Sequence, residues 1–283
     1  MSRSRYWTEK LAFALLTLAA VAVVVPILLV AAYIIWRGVG SISLEFLFSM
    51  PRNGMREGGI FPAAVGTVVL TLGTAIAALP LGIGAAIYLA EYARDDALTH
   101  MIRMAIINLA GIPSVVYGLF GLGLFVLFLR FGTSILAGSL TLGLMTLPVV
   151  ISTAEEAILA VPQSFRVVSI SLGGTKWQTI RHQVLPNALP GISTGVILGL
   201  ERAAGETAPI LFTVAAFYLP RLPHSLFDQT MALPYHLYVV STQVPGMPMT
   251  VQFGTALVLL AFVLSLNIVA TVIRRHFRRR RSW

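Results

Sequence analysis

Residues Phe131–Ala154 read FGTSILAGSLTLGLMTLPVVISTA, a run without a single charge. A helix needs about 20 mostly apolar residues to cross a bilayer, because lipid offers no partner to backbone N–H and C=O groups. This stretch therefore decides the class of the molecule, and the same test moved outward finds it repeated. Leu11 to Trp36, Phe61 to Ala90, Met104 to Leu129 and Phe253 to Ile273 are also uncharged. A further apolar stretch, Asn187 to Leu219, is interrupted by Glu201, Arg202 and Glu206. The expectation is an all-α polytopic membrane protein with six transmembrane helices.

Composition agrees. Of 283 residues, 57% are hydrophobic and 11% charged, against about 25% charged in a soluble domain. Such a chain lacks the polar surface for water, and it is too hydrophobic for disorder. The absence of cysteine excludes disulfides, thiolate metal sites and cysteine nucleophiles. Arg3, Arg5 and Lys10 give the first span a basic start, but its apolar core is too long for a secretory signal and no small-residue cleavage pattern follows Trp36. It reads as an uncleaved anchor.

Six spans put both termini on one side. The segments before Leu11, from Glu91 to Arg103, from Glu155 to Pro186 and after Ile273 hold 14 lysines and arginines, and the opposite segments hold 5. The positive-inside rule then places both termini in the cytoplasm. Topology and anionic lipid account for the C-terminal run Arg274, Arg275 and Arg278 to Arg281, so nucleic-acid binding is not expected of it.

Glu155 to Pro186 is an unusually polar connection with signals of two short helices. Pro162 suits a first turn, and Phe165, Val168 and Leu172 form one apolar stripe. Gly173 and Gly174 end the pattern, since a left-handed stop favours glycine. Thr175-Lys176-Trp177-Gln178 matches a capping box, with Trp177, Ile180 and Val184 as the next stripe. Leu185 and Pro186 lead into the following span. Two apolar stripes need cover, either from this chain's own helix ends and the bilayer or from a docking partner.

Signatures of catalysis are missing. Gly173-Gly174-Thr175-Lys176 lacks the spacing of a phosphate-cradling loop, and Gly118 to Gly123 departs from the dinucleotide fingerprint. His100, His182, His224, His236 and His276 are scattered, and no serine stands in a nucleophile elbow. The chain is not expected to be an enzyme or to bind a cofactor, so energy for any transport comes from elsewhere.

The interrupted stretch is the informative one. Gly191, Gly195, Gly199 and Ala203 are spaced by four, a small-residue row that lets helices approach closely. At about 100° per residue the row drifts across about 120°. Arg202 and Glu206 fall inside that arc and Glu201 well outside it. A charge at the bilayer centre costs at least about 2.5–3.5 kcal/mol, so the bundle must shield the pair. On one reading it is a polar station on a solute path. Arg202 offers a planar fork to an oxyanion, and Glu206 keeps the guanidinium from holding it too tightly. On the other it is a salt bridge that locks packing. Thr207 and Pro209 follow, and proline can kink a helix there.

These residues resemble a family, the inner-membrane permease subunits of bacterial ABC importers, in particular the A-type subunit of the phosphate-specific system. The resemblance covers nearly the whole chain. It is densest in Gly111-Ile112-Pro113-Ser114-Val115-Val116-Tyr117-Gly118-Leu119-Phe120-Gly121, in Ser152-Thr153-Ala154-Glu155-Glu156-Ala157 with Val161-Pro162, and in Arg202-Ala203-Ala204-Gly205-Glu206-Thr207-Ala208-Pro209. The broader permease signature, Glu-Ala-Ala, three residues, Gly, nine residues, Ile-x-Leu-Pro, is met at Gly173, Leu185 and Pro186. Val167, Val168 and Ser169 stand for its Glu-Ala-Ala and Gln183 for its Ile.

The resemblance implies a type I importer (MetI-like) fold in the bacterial inner membrane. It implies a cytoplasmic N-terminus, first helix and extracytoplasmic linker over 1–60, a permease domain over 61–273, and a basic cytoplasmic tail over 274–283. The implied partners are a second, homologous permease subunit in a heterodimer, two ATPase subunits that bind ATP and magnesium, and an extracytoplasmic phosphate-binding protein. The implied cargo is inorganic phosphate. Segment 155–186 would then dock on an ATPase through Phe165, Leu172, Gly173, Gly174, Thr175, Trp177, Leu185 and Pro186. The substrate path would hold Arg202, Glu206, Glu201 and Thr207. A C-type or phosphonate-type permease stands as the alternative within the superfamily. A stand-alone anion channel or secondary transporter is the alternative outside it, although the missing inverted repeat speaks against that.

Overall fold

The computed structural model describes residues 3–279. Arg280 and Arg281, and the side chains of Arg3, Arg5, Arg274, Arg278 and Arg279, lie outside the described residues. A long first helix, α1 (Arg3–Gly38), is followed by the short α2 (Leu44–Phe48) and a two-stranded hairpin, β1 (Pro51–Arg52) with β2 (Glu57–Gly58). Then come α3 (Phe61–Ile87), which ends in a π-turn over Tyr88–Tyr92, and α4 (Ala97–Ala110), α5 (Ser114–Gly121) and α6 (Ile135–Leu159). The polar connection holds α7 (Gln163–Ser171) and α8 (Lys176–Thr179), with a π-turn at Ile180–Val184. The last helices are α9 (Leu185–Gly205), α10 (Ala208–Thr213), α11 (Leu233–Thr242) and α12 (Met249–Arg279).

Among the described residues, four helices are long and apolar enough to cross a membrane: Glu9–Ser41, Phe61–Tyr92, Ile135–Leu159 and Met249–Val272. Each coincides with an uncharged stretch of the sequence. The other two expected spans are broken. Met104 to Leu129 is not one straight helix, because Ala97–Ala110 and Ser114–Phe128 meet at 101°. Gly111 and Pro113 sit at that elbow, and Pro113 is extended (φ −58°, ψ 139°). Proline lacks an N–H and pushes the residue before it out of the helical region. The Leu109 carbonyl freed there accepts from the Ile112 N–H (3.1 Å) and the Tyr117 hydroxyl (2.9 Å). Asn187 to Leu219 is not one helix either, since α9 stops at Gly205 and Glu206 is extended (ψ 136°).

Helix α6 is the centre of the bundle, packed between α3 and α9. Leu142, Met145, Val150 and Ile158 along it are almost fully buried. The small-residue row of α9 faces α6. A Cβ on Gly191 would come within 2.5 Å of Ala157, one on Gly195 would overlap the Thr153 hydroxyl, and one on Gly199 would lie 3.3 Å from Val150. Close approach of the two backbones is thus built on glycine. Helix α12 packs on the other side of α9, and α1 leans on α12. Tyr33 of α1 meets Phe253 edge to face at 5.5 Å.

After the α9 break the chain runs back through the bundle wall as short pieces, and several backbone groups there find protein partners. Ala216 N–H donates to the Thr230 carbonyl (3.0 Å), and Ser134 N–H donates to the Thr213 carbonyl (2.9 Å). The first N–H groups of α6 are met by the same segment: Ile135 donates to the Asp228 carbonyl and Leu136 to the Leu226 carbonyl, both at 2.9 Å. Helix α3 pins the segment where a Cβ on Gly66 would overlap the Met231 carbonyl. Next to it the Leu233 N–H donates to Thr67 Oγ1 at 2.8 Å. Thr67→Val should leave that buried N–H unmet, at a cost of about 1–3 kcal/mol. The expected result is a lower melting temperature in detergent for Thr67→Val and little change for Thr67→Ser.

Candidate functional site

Arg202 lies in the last turn of α9, where a cation is favoured by the helix dipole, and Glu206 caps that end. Arg202 Nε donates to Glu206 Oε1 at 3.4 Å. The arginine side chain is 39% exposed and the glutamate 17%, so the carboxylate is set into the wall while the guanidinium looks out from it. A small cavity beside Glu206 is lined by Thr67 and Thr71 of α3, Leu142 of α6, Ala203, and Pro234 of α11. Leu142 is seven residues into α6 and Thr71 ten into α3. At 1.5 Å per residue these are about 10 and 15 Å along the two axes. The break and its charge pair therefore lie at the depth of the bundle interior. Non-helical backbone is tolerated at such depth where it is buried in protein or lines a cavity.

Of the four residues read as a path, two converge. Glu201 points elsewhere: its Oε2 accepts from the Asn267 amide of α12 at 3.2 Å, so it ties α9 to α12. Thr207 is half-buried at the start of α10, and Pro209 fills the first turn of that helix instead of kinking α9. Ala203 is buried and completes the packing row. Tyr117, which sequence marked only as part of the Gly111–Gly121 string, is buried in α5 and donates its hydroxyl back to the elbow at Leu109. Gly118 carries α5 against Pro209 and Phe212 of α10, and Gly121 sits against Thr141.

The helix–turn–helix forms as read. Gly173 takes φ +85°, a left-handed value that glycine adopts without strain, and its N–H donates to the Ile170 carbonyl at 2.9 Å. The Thr175–Gln178 capping box closes with both bonds present. The Ser169 and Thr179 hydroxyls are 2.8 Å apart and join α7 to α8. The two stripes part company. Val184 is buried with Ile158, Val161 and Ala188 of this chain, and Ile180 is buried too, whereas Trp177 is half exposed. Leu172, which caps α7, is 83% exposed, and Val167, Val168 and Ile170 on the helix are also open. Phe165 and Leu185 are half-buried against the chain's own core, and Phe165, Leu172 and Gly174 border a surface cleft. Sequence did not indicate the arginines that fasten this region, Arg166 to Glu91 at 2.6 Å and Arg103 to Glu155 at 2.8 Å. Their only signal was that Glu91, Arg103 and Glu155 stand where uncharged stretches end.

The profile of the inner membrane component of binding-protein-dependent transport systems matches residues 78–283. The chain belongs to that family. The permease is 33% identical over 281 residues to the probable ABC transporter permease protein YqgI of Bacillus subtilis, covering 94% of this chain and 95% of the relative. It is 37% identical to the phosphate transport system permease protein PstA 1 of Mycobacterium tuberculosis, over 79% of this chain and 73% of that one. Its fold is that of the ABC importer permeases. It resembles a chain of the inward-facing MetNI methionine ABC transporter with a TM-score of 0.63, 16% identity and coverage of 76% and 94%. It also resembles a chain of a bacterial ABC transporter that imports alginate, with a TM-score of 0.67, 12% identity and coverage of 97% and 99%. The permease is thus a transport subunit, and the family and fold implied by its motifs are those found.

Proposed function

We propose that this permease forms half of the translocation path of an ATP-driven phosphate importer in the bacterial inner membrane, with both termini in the cytoplasm. One observation carries the reading: an arginine at the broken end of α9, paired to a glutamate, faces outward from the bundle wall at interior depth. A guanidinium there offers charge and a planar fork to a phosphate oxyanion, and the neighbouring carboxylate keeps binding weak enough for release. The face that exposes Arg202 is completed by a second, homologous permease subunit. The relatives named for phosphate transport support the choice of anion.

This chain supplies no hydrolysis of its own. The open apolar face of α7, with Leu172, Gly173, Gly174 and Trp177 at the turn, docks on one of two ATPase subunits that bind ATP and magnesium. An extracytoplasmic binding protein delivers phosphate to the opposite end. Co-expression of the permease with candidate partners and purification in mild detergent tests the assembly. Subunit masses should identify two permeases and two ATPases, with phosphate accumulating in ATP-loaded vesicles supplied with binding protein. A permease that purifies alone and conducts anions without ATP would overturn the reading.

A further inference from the structure

Docking of α7 on a partner can move the substrate station only if α7 is fastened to the spanning helices, and beside the packing of Phe165 one side chain spans that joint with four hydrogen bonds. Arg166 donates Nε and Nη2 to Glu91 Oε1 at 3.0 and 2.6 Å. Its Nη1 donates to the Val161 carbonyl at 2.7 Å and its Nη2 to the Ile158 carbonyl at 3.0 Å. The arginine side chain is 12% exposed and the glutamate 8%, so water competes little for either. One guanidinium thus joins α7 to the π-turn that ends α3, to the Ile158 carbonyl at the end of α6 and to the Val161 carbonyl just past it.

A second arginine extends the joint. Arg103 of α4 donates Nε to Glu155 of α6 at 2.8 Å and Nη2 to the Leu89 carbonyl of the same π-turn at 3.0 Å. The π-turn is therefore gripped twice, through Glu91 from α7 and through Leu89 from α4. From Glu91 back to Thr71 is twenty residues, about 30 Å of continuous helix. Thr71 lines the cavity beside Glu206. The same rod that is bolted to α7 at one end borders the substrate station at the other.

We propose that Arg166 and Glu91 are positioning residues for transport, a clamp that passes the displacement of α7 into α3 and so to the station at Arg202 and Glu206, with Arg103 and Glu155 carrying α4 along. The proposal rests on the reading of this chain as an ATP-driven permease. A geometrically fixed link suits the task, because a planar guanidinium held by four hydrogen bonds from three directions resists shear where an apolar contact slides.

The test uses the assembled importer in vesicles, with phosphate moved and ATP split measured on the same preparation. Arg166→Gln and Glu91→Gln should each still bring down the ATPase. Each should lower phosphate moved per ATP at least about tenfold, within the range usual for coupling between sites. Arg166→Lys, which keeps the charge without the fork, should fall between wild type and Arg166→Gln. Assembled variants with the wild-type ratio overturn the clamp, and so does failure of both Gln variants to assemble, which would make the pair a folding element. If the wild-type chain neither recruits an ATPase nor moves phosphate, the functional reading fails instead.

Discussion

Arg202→Gln is expected to reduce phosphate uptake by the assembled importer at least about thirtyfold, while the complex still forms. The first half follows from the charge. A hydrogen bond to a charged group contributes about 1.5–3 kcal/mol, and here the loss falls on the group that would meet the anion. The variant also leaves Glu206 bare at the negative end of α9, which repels the anion further. The second half follows from exposure. Among the described residues Arg202 hydrogen-bonds only to Glu206 on its own chain segment, and the packing of α9 on α6 is made by Gly191, Gly195 and Gly199. Uptake of radiolabelled phosphate into vesicles, with subunit stoichiometry checked on the same sample, reads both halves. Normal uptake by a correctly assembled variant removes Arg202 from the path. Replacing Arg202 and Glu206 together with apolar residues separates the remaining case: lost assembly means that the pair is interface glue, and lost flux with intact assembly means that it belongs to the path.

Gly173→Pro is the second large effect. Position 173 holds φ +85° and donates its N–H to Ile170. Proline fixes φ near about −65° and has no N–H, a conflict that costs about 3 kcal/mol or more in regular structure. The turn has to re-form, and α7 then swings relative to the capping box at Thr175, carrying Leu172 off its line. The expected outcome is ATP hydrolysis that continues without matching phosphate uptake. Gly173→Ala, strained only by its left-handed backbone, should have a milder version of the defect. Wild-type coupling in the proline variant would remove the docking role of the turn.

Much of the architecture was legible because lipid enforces a simple rule. Phe61 to Ala90 and Phe131 to Ala154 had to be helices for want of any other way to satisfy their backbone, and α3 and α6 are there. Local chemistry was equally readable: the Thr175–Gln178 capping box and the left-handed Gly173 depend on neighbours in sequence. The glycine row of α9 was readable as a contact face, and α6 supplies the contact. The 101° elbow was hidden inside an uncharged run, although Gly111 and Pro113 are the residues that make it. Composition cannot tell a straight span from a bent one. The orientation of Glu201 was also out of reach, since a helical wheel gives an angle but not the presence of Asn267 at that angle. Arg166 with Glu91 spans 75 residues of sequence, and no spacing rule joins them.

The leading helix has a consequence of its own. In α1 the most apolar window has none of its residues buried, and its hold on the rest is concentrated near its end, where Gly38 nestles against the Phe253 carbonyl and Leu257. Every layer around α6 closes without it. It is an outrigger: within this chain it meets the bundle through α12, while the layers around α6 keep their own contacts. Changes to the open side chains of its apolar window should therefore leave this chain's own packing as it is, provided that the small residue at the tip and the aromatic pair beside it are kept.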